Sequence, residues 1–272
     1  MQLVSTMRTL HFLSGLPRSG STLLANILCQ NPRFHVTPTS GLAHVLSIVR
    51  NQWDRIPEFL AAPQPSAKKN VLYGILESFH LEFDIQTVVF DKSRAWPALI
   101  ELVEELTGHP VKIVATVRDI PDILSSLEKL YRRDSRLIQP MGEAQAGPQM
   151  QTILGRCKFW SDSSQLVGSA FNTIKDAVDR GLRDRIHFVE FRDLTERPDK
   201  ALANLYAWLD EEPFEHKFDD VQQTTKEEDR FHGFTDLHTI RPEVKPVKSD
   251  WRHVIGEAVG NQFRNAEFWK TI

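Results

Sequence analysis

Four nearly continuous apolar runs punctuate the chain: "LHFLS" (10–14), "TVVF" (87–90), "VKIVATV" (111–117) and "IHFVEF" (186–191). Runs of this kind predict strands of a parallel sheet that is covered on both faces. Between them the apolar positions recur at helical intervals. Residues 41–53 bring Leu42, Val45, Leu46 and Val49 to one side. Residues 96–110 open with Pro97 and stop at Gly108 and Pro110, 120–133 open with Pro121 and close on Arg132 and Arg133, and 197–210 open with Pro198. Proline suits a first helical turn, glycine the position after the last, and basic side chains the negative end of the helix dipole. A further helix is expected after the first strand and carries Cys29.

Strands alternating with helices predict an α/β fold, a three-layer sandwich with a mainly parallel central sheet. Residues 61–70 and 139–149 read as surface loops. Neither divides the chain into compositionally different halves, and no internal repeat of 20–50 residues is visible. The expectation is therefore one domain over 1–272, with a charged, apolar-poor segment around 219–250 running across its surface.

Composition changes this picture little. A chain of 272 residues with 41% hydrophobic and 25% charged residues can bury a core without a disulfide or metal staple. Cys29 and Cys157 read as structural thiols, and no Cys/His cluster has the spacing of a metal site. A formal charge of −3 provides no general attraction for nucleic acid or an anionic membrane, so an anionic ligand must be held by a local basic cluster. The N-terminus lacks the pattern of a secretory signal, and no apolar run is long enough to span a bilayer, which points to a cytoplasmic protein.

The chemistry begins where the first strand turns into the first helix. Gly15 and Gly20 have the spacing of a phosphate-binding loop, but Ser21 stands where a nucleoside-triphosphate enzyme carries lysine. A cation lies inside the loop instead, at Arg18, whose planar fork of donors suits tetrahedral oxyanions. Pro17, Arg18, Ser19, Gly20, Ser21 and Thr22 are the candidate binding residues, through backbone N–H groups, hydroxyls and the positive helix terminus.

The segment "FLSGLPRSGSTLLANILCQNPRF" resembles the phosphosulfate-binding region of the P-loop sulfotransferases, most of all the tyrosylprotein sulfotransferase branch. The resemblance runs on to Trp53 and resumes at "VVFDKSRAW", "IVATVRDIPDILSSL" and "IHFVEFRDLTERPDKALANLYAWLD". It implies transfer of a sulfuryl group from 3′-phosphoadenosine-5′-phosphosulfate (PAPS) to a hydroxyl or amine, leaving adenosine 3′,5′-bisphosphate, with no metal. It also implies that Arg118, with Ser126 eight positions later, holds the 3′-phosphate. Lys92 would stabilise the leaving oxygen, and Arg18 the sulfuryl side. Near the C-terminus, "HTIRPEVKPVKSDWRHV" is similar to the loop that closes over the nucleotide in that family, with Thr239, Arg241 and Lys245 as candidates. A tyrosine common before the "DL" turn is Phe191 here.

The sequence departs from the branch at its catalytic glutamate, twenty-one residues after the loop arginine, where Thr39 stands. Gly41 and Val45 occupy positions where the branch carries peptide-reading arginines. Histidine is the usual substitute for such a base, and His44, His35 and Asp91 are the alternatives, with His44 the leading one. The acceptor stays open among tyrosyl peptides, small phenols and carbohydrates, and a homodimer stays open too. The competing readings are an ATP-using P-loop kinase and a non-catalytic nucleotide-binding protein.

Overall fold

A computed structural model describes residues 9–81, 88–133, 147–232 and 235–270. Strand β1 (Thr9–Gly15) leads through the loop into helix α1 (Ser21–Leu28). Strand β2 (Phe34–Thr39) is followed by α2 (Leu42–Trp53), α3 (Pro57–Ala61) and α4 (Pro65–Ser78). Strand β3 (Val88–Lys92) leads to α5 (Ile100–Thr107), and β4 (Ile113–Val117) to α6 (Ile120–Arg133), α7 (Ile153–Ser161) and α8 (Leu166–Asp179). Strand β5 (Ile186–Glu190) is followed by α9 (Phe191–Glu196) and α10 (Pro198–Leu209).

The strands form one parallel sheet in the order β2-β3-β1-β4-β5. Successive residues of β1 face opposite layers, as the pleat requires. Phe12 packs on Trp96, with ring centroids 4.2 Å apart, in the core beneath α2, α5, α6 and α8. Leu13 faces Leu24, Ile27 and Leu205 in the second core, beneath α1 and α10. From β1 the chain turns outward past β3 to β2, and from β3 it crosses back to β4. Such a reversal opens a crevice at the carboxyl ends of the central strands, and that is where the loop lies.

Two elements differ from the sequence reading. Strand β2 was not expected, because Pro38 interrupts its short alternation of Phe34 and Val36. It is tolerated because β2 is an edge strand whose pairing with β3 shifts between Val36 and Thr39. Helix α4 fills part of the expected loop at 61–70: Pro65 opens it, Lys69 faces solvent, half-buried Lys68 pairs with Asp54 at 2.6 Å, and Leu72 and Leu76 are buried one turn apart. Helices α7 and α8 add a layer the sequence reading left undefined. Of the expected loop at 139–149, residues 139–146 lie outside the described residues and Gly147–Gln151 form a 3-10 turn. Thr87, the first residue of the strand expected at 87–90, also lies outside them. The two cysteines are not paired with each other.

After α10 the chain crosses the crevice as a strap, whose described residues, 211–232 and 235–250, have little regular structure. It is nonetheless tied down. Val221 and Val244 donate N–H groups to Pro242 and Phe218 carbonyls at 2.7 and 2.8 Å, folding the strap on itself. Gln30 makes a two-way bond with the Lys217 backbone at 2.8 and 2.7 Å. Asn26, buried in α1, is the main clamp. Its Oδ1 accepts from the Thr224 and Thr225 N–H groups at 2.6 and 3.0 Å and from the Thr224 hydroxyl at 3.0 Å. Its Nδ2 donates to the Thr22 carbonyl and Thr225 Oγ1 at 2.8 and 2.9 Å. Beyond the strap Trp251 returns to the core and packs on Gly260, where a Cβ would lie 2.3 Å from the indole.

Candidate functional site

The crevice is a cavity of about 550 Å³ lined by the loop, the ends of β3 and β4, α6 and the strap. Volumes of this order suit a small organic ligand. The loop's shape depends on two glycines. Gly15 has φ +143°, and a Cβ there would lie 2.3 Å from Thr116 Oγ1; Gly20 has φ +92°, and a Cβ there would meet Phe191 at 2.8 Å. No side chain caps α1 at Gly20. Its first-turn N–H groups therefore face the cavity beside Ser21 and Thr22, and the helix dipole adds partial positive charge.

Pro17, Arg18, Gly20, Ser21 and Thr22 line the cavity. Ser19 does not. Its hydroxyl is buried and bonded to the Leu16 carbonyl at 2.5 Å, the Thr116 carbonyl at 2.9 Å and Thr116 Oγ1 at 2.6 Å. The Ser19 side chain bolts the loop to β4. What this residue can offer a ligand is its backbone.

Arg118 leaves β4 toward the cavity, and its guanidinium lies 4.4 Å over the Phe191 ring. Phenylalanine at this position thus supports the arginine and excludes a side chain at residue 20. Nη1 of Arg118 donates to the Arg18 carbonyl at 3.1 Å, while its Nε is buried with no hydrogen-bond partner among the described residues. Arg18 sits in the left-handed region at φ 59°. Its Nε donates to Ser126 Oγ at 3.1 Å and Nη1 to the Leu237 carbonyl of the strap. Burial and the neighbouring Arg118 charge push the Arg18 guanidinium down to about 10. Two adjacent guanidiniums, both held below the usual arginine range chiefly by burial, are arranged to receive an anion. The structure brings Arg18, Arg118 and Ser126 together in the cavity wall.

Lys92 lines the same cavity, in register with Thr39 of β2. Its Nζ donates to Glu227 Oε1 at 2.8 Å and lies 3.4 Å from Thr22 Oγ1. Burial pulls its pKa below the usual lysine range, and Glu227 pulls the other way. Glu227 Oε1 also accepts the Thr39 N–H at 3.0 Å. The strap thus delivers a carboxylate to the very strand position where the resemblance leads one to look for one. Thr239, Arg241 and Lys245 lie in the wall the strap makes; Lys245 pairs with Glu243 at 2.7 Å.

The expected bases lie elsewhere. His44 is on the exposed face of α2 and does not line the cavity. His35 lies in β2 opposite Val89, also outside the lining. Asp91 is fully buried beneath the sheet, accepting from Trp96 Nε1 at 2.9 Å with His80 Nε2 at 3.3 Å. The imidazole that does line the cavity is His238, one residue before Thr239. It lies at the start of the "HTIRPEVK" segment, and its type and position there were the available signal. Among the described residues no group of His, Cys, Asp and Glu could hold a metal ion, and no helix is long and apolar enough to cross a membrane.

Residues 12–216 match the sulfotransferase family. Among solved structures, the sulfotransferase domain from the curacin biosynthetic pathway is 19% identical with a TM-score of 0.51, covering 97% of this chain and 91% of its own. The sulfotransferase domain of the Synechococcus PCC 7002 olefin synthase is 17% identical with a TM-score of 0.47, covering 94% of each chain. The sulfotransferase STF9 from Mycobacterium avium is 16% identical with a TM-score of 0.46, covering 98% of this chain and 77% of its own. No curated protein matches the chain. With three quarters of its length matched, the chain belongs to the sulfotransferase family.

Proposed function

We propose that this protein transfers a sulfuryl group from PAPS to a hydroxyl or amine acceptor. The observation that carries the reading is a cavity lined by two hydrogen-bonded cationic groupings. The α1 terminus with Thr22 and Lys92 makes one, and Arg118, Arg18 and Ser126 make the other. A nucleotide anionic at both its 5′ and 3′ positions fits such a site. The orphaned Arg118 Nε supports the fit.

In this reading Arg118, stacked on Phe191, donates to the 3′-phosphate, with Ser126 beside it. The loop N–H groups, Ser21 and Thr22 hold the 5′-phosphosulfate, and the Ser19–Thr116 bonds keep those groups aligned. Arg18 spans from the loop to α6 and the strap, so its charge reaches the phosphate end and braces the wall. Lys92 faces the leaving oxygen, where negative charge grows as the S–O bond breaks, and fixed charge of this kind lowers the barrier without reorganising. Thr239, Arg241 and Lys245 cover the nucleotide from the strap.

Calorimetry with adenosine 3′,5′-bisphosphate and 5′-AMP tests the reading. The bisphosphate should bind more tightly, and Arg118→Ala should remove that advantage. One charge-assisted anchor is worth about 1.5–3 kcal/mol, or roughly 10- to 150-fold in affinity. Equal weakening of both ligands would show that Arg118 serves the fold. Preference for ATP with magnesium would favour phosphoryl transfer.

A further inference from the structure

Side chains outside the loop motif converge on Lys92 from the strap. Asp229 accepts both the backbone N–H of His238 at 3.0 Å, through Oδ2, and its ring Nδ1 at 2.5 Å, through Oδ1. Two bonds from one carboxylate fix the position and the rotation of the ring. Donation of Nδ1–H to Asp229 puts the ring's lone pair on Nε2. Glu227 Oε2 is 3.5 Å from Nδ1, while its Oε1 holds Lys92 and the Thr39 N–H. His238 lines the cavity with Thr39 and Lys92, and Glu227 does not. The other carboxylates in the lining are engaged away from Lys92: Asp122 accepts from Ser249 at 2.7 Å, Asp250 from Ser125 at 3.0 Å, and Glu243 pairs with Lys245.

We propose that His238 is the general base of this sulfotransferase, with Asp229 as its positioning residue. The inference rests on the sulfuryl-transfer reading above. Nε2 of His238 takes the proton of the acceptor hydroxyl as its oxygen forms the new bond to sulfur. The bond from sulfur to the 5′-phosphate oxygen breaks, and its electron pair stays on that oxygen, facing Lys92. Glu227 is the less suited base, since its Oε1 already accepts from an ammonium and an amide.

The ring is poised in the basic form. Burial and the Lys92 charge hold His238 below the usual imidazole range, while Asp229 and Glu227 pull it upward. Arg94 stands against Glu227 and Arg18 against Asp229, completing the charges around the pair.

The test uses the full chain with His238→Gln, Asp229→Asn, Asp229→Glu and His44→Ala. Calorimetry with adenosine 3′,5′-bisphosphate gives nucleotide affinity, and ring-carbon NMR follows the His238 titration. Transfer from PAPS to phenol, 4-nitrophenol, benzyl alcohol and water is followed by mass detection across pH. His238→Gln should keep nucleotide affinity within about threefold and lower kcat/KM for a weakly acidic acceptor on the order of 10²–10⁴-fold. It should remove the acid limb of the profile and cost least with 4-nitrophenol, which ionises unaided. Asp229→Asn should shift both the ring titration and the acid limb to lower pH, and Asp229→Glu should restore them. An intact acid limb with near wild-type transfer in His238→Gln overturns the proposal, as does a loss carried by His44→Ala instead. A wild-type chain that binds no bisphosphate and transfers to none of the four acceptors overturns the sulfotransferase reading itself, and the base with it.

Discussion

Replacing Asn26 by Ala should release the strap while sparing the sheet. The side chain makes five hydrogen bonds, and removing it strands the partners unequally. Thr224 is exposed, so its N–H and hydroxyl can turn to water, whereas Thr225 is 3% exposed and its N–H and Oγ1 cannot. A buried donor or acceptor left without a partner costs about 1–3 kcal/mol, so two such groups put the loss at about 2–6 kcal/mol. That penalty falls on docking of the strap against α1, not on the β1–β4 ladder. Hydrogen exchange reads it directly: amides around 219–244 should exchange roughly 30- to 20,000-fold faster than in the wild type, at about 1.4 kcal/mol per decade. Amides of β1 and β4 should change little. Asn26→Asp keeps the acceptor for both threonine N–H groups and loses the two donors, so it should fall between. Turnover should drop with strap protection in both variants, because Glu227, Asp229 and His238 all ride on this segment. A uniform rise in exchange across sheet and strap would show that Asn26 holds the whole fold together. Unchanged exchange at Thr224 and Thr225 would show that the clamp is not where the strap is anchored.

Two further outcomes are expected. Gly15→Ala places a Cβ within 2.4 Å of both Thr116 Oγ1 and its carbonyl oxygen, at a φ that L-residues rarely adopt; the loop must move. Bisphosphate affinity measured by calorimetry should fall beyond detection, and a variant that binds normally would remove the loop from the site. The second concerns acid stability. His216, hydrogen-bonded to Tyr206 at 3.0 Å, is pushed by burial down to about 4. The unfolded chain takes a proton near pH 6.5 and the folded one does not, so stability is full above that pH and declines as pH falls toward 4. The loss should reach roughly 2 kcal/mol. His216→Gln should flatten the fall of the melting temperature between pH 7 and 4, and an unaltered slope would assign the acid sensitivity elsewhere.

The parts legible in the sequence were those whose cause is local. Helix α6 spans Ile120–Arg133, the expected bounds, because a strong apolar face, a first-turn proline and terminal arginines all agree. The loop declared itself through residue types that few other structures require in that order. Ser19 shows the weakness of the same reasoning: residue type suggested a ligand, and only the approach of β4 reveals that its hydroxyl is spent on Thr116. Strand β2 was hidden because Pro38 breaks its alternation, and helix α4 because proline and lysine in its first turns mimic loop composition. His238 was hidden for a different reason. Glu227 lies 135 residues from Lys92, in a segment without period or apolar pattern, and nothing local marks such a meeting.

His238 and Thr239 are consecutive residues, one facing Lys92 and the other walling the nucleotide side of the cavity. Any displacement that uncovers a bound nucleotide to bulk solvent therefore carries the imidazole away with it. In the proposed reaction, water would reach an activated sulfate ester only when the group able to deprotonate that water has left. A loop-borne base would thus protect the high-energy donor from futile hydrolysis, a safeguard that a carboxylate fixed on β2 at Thr39 would not provide.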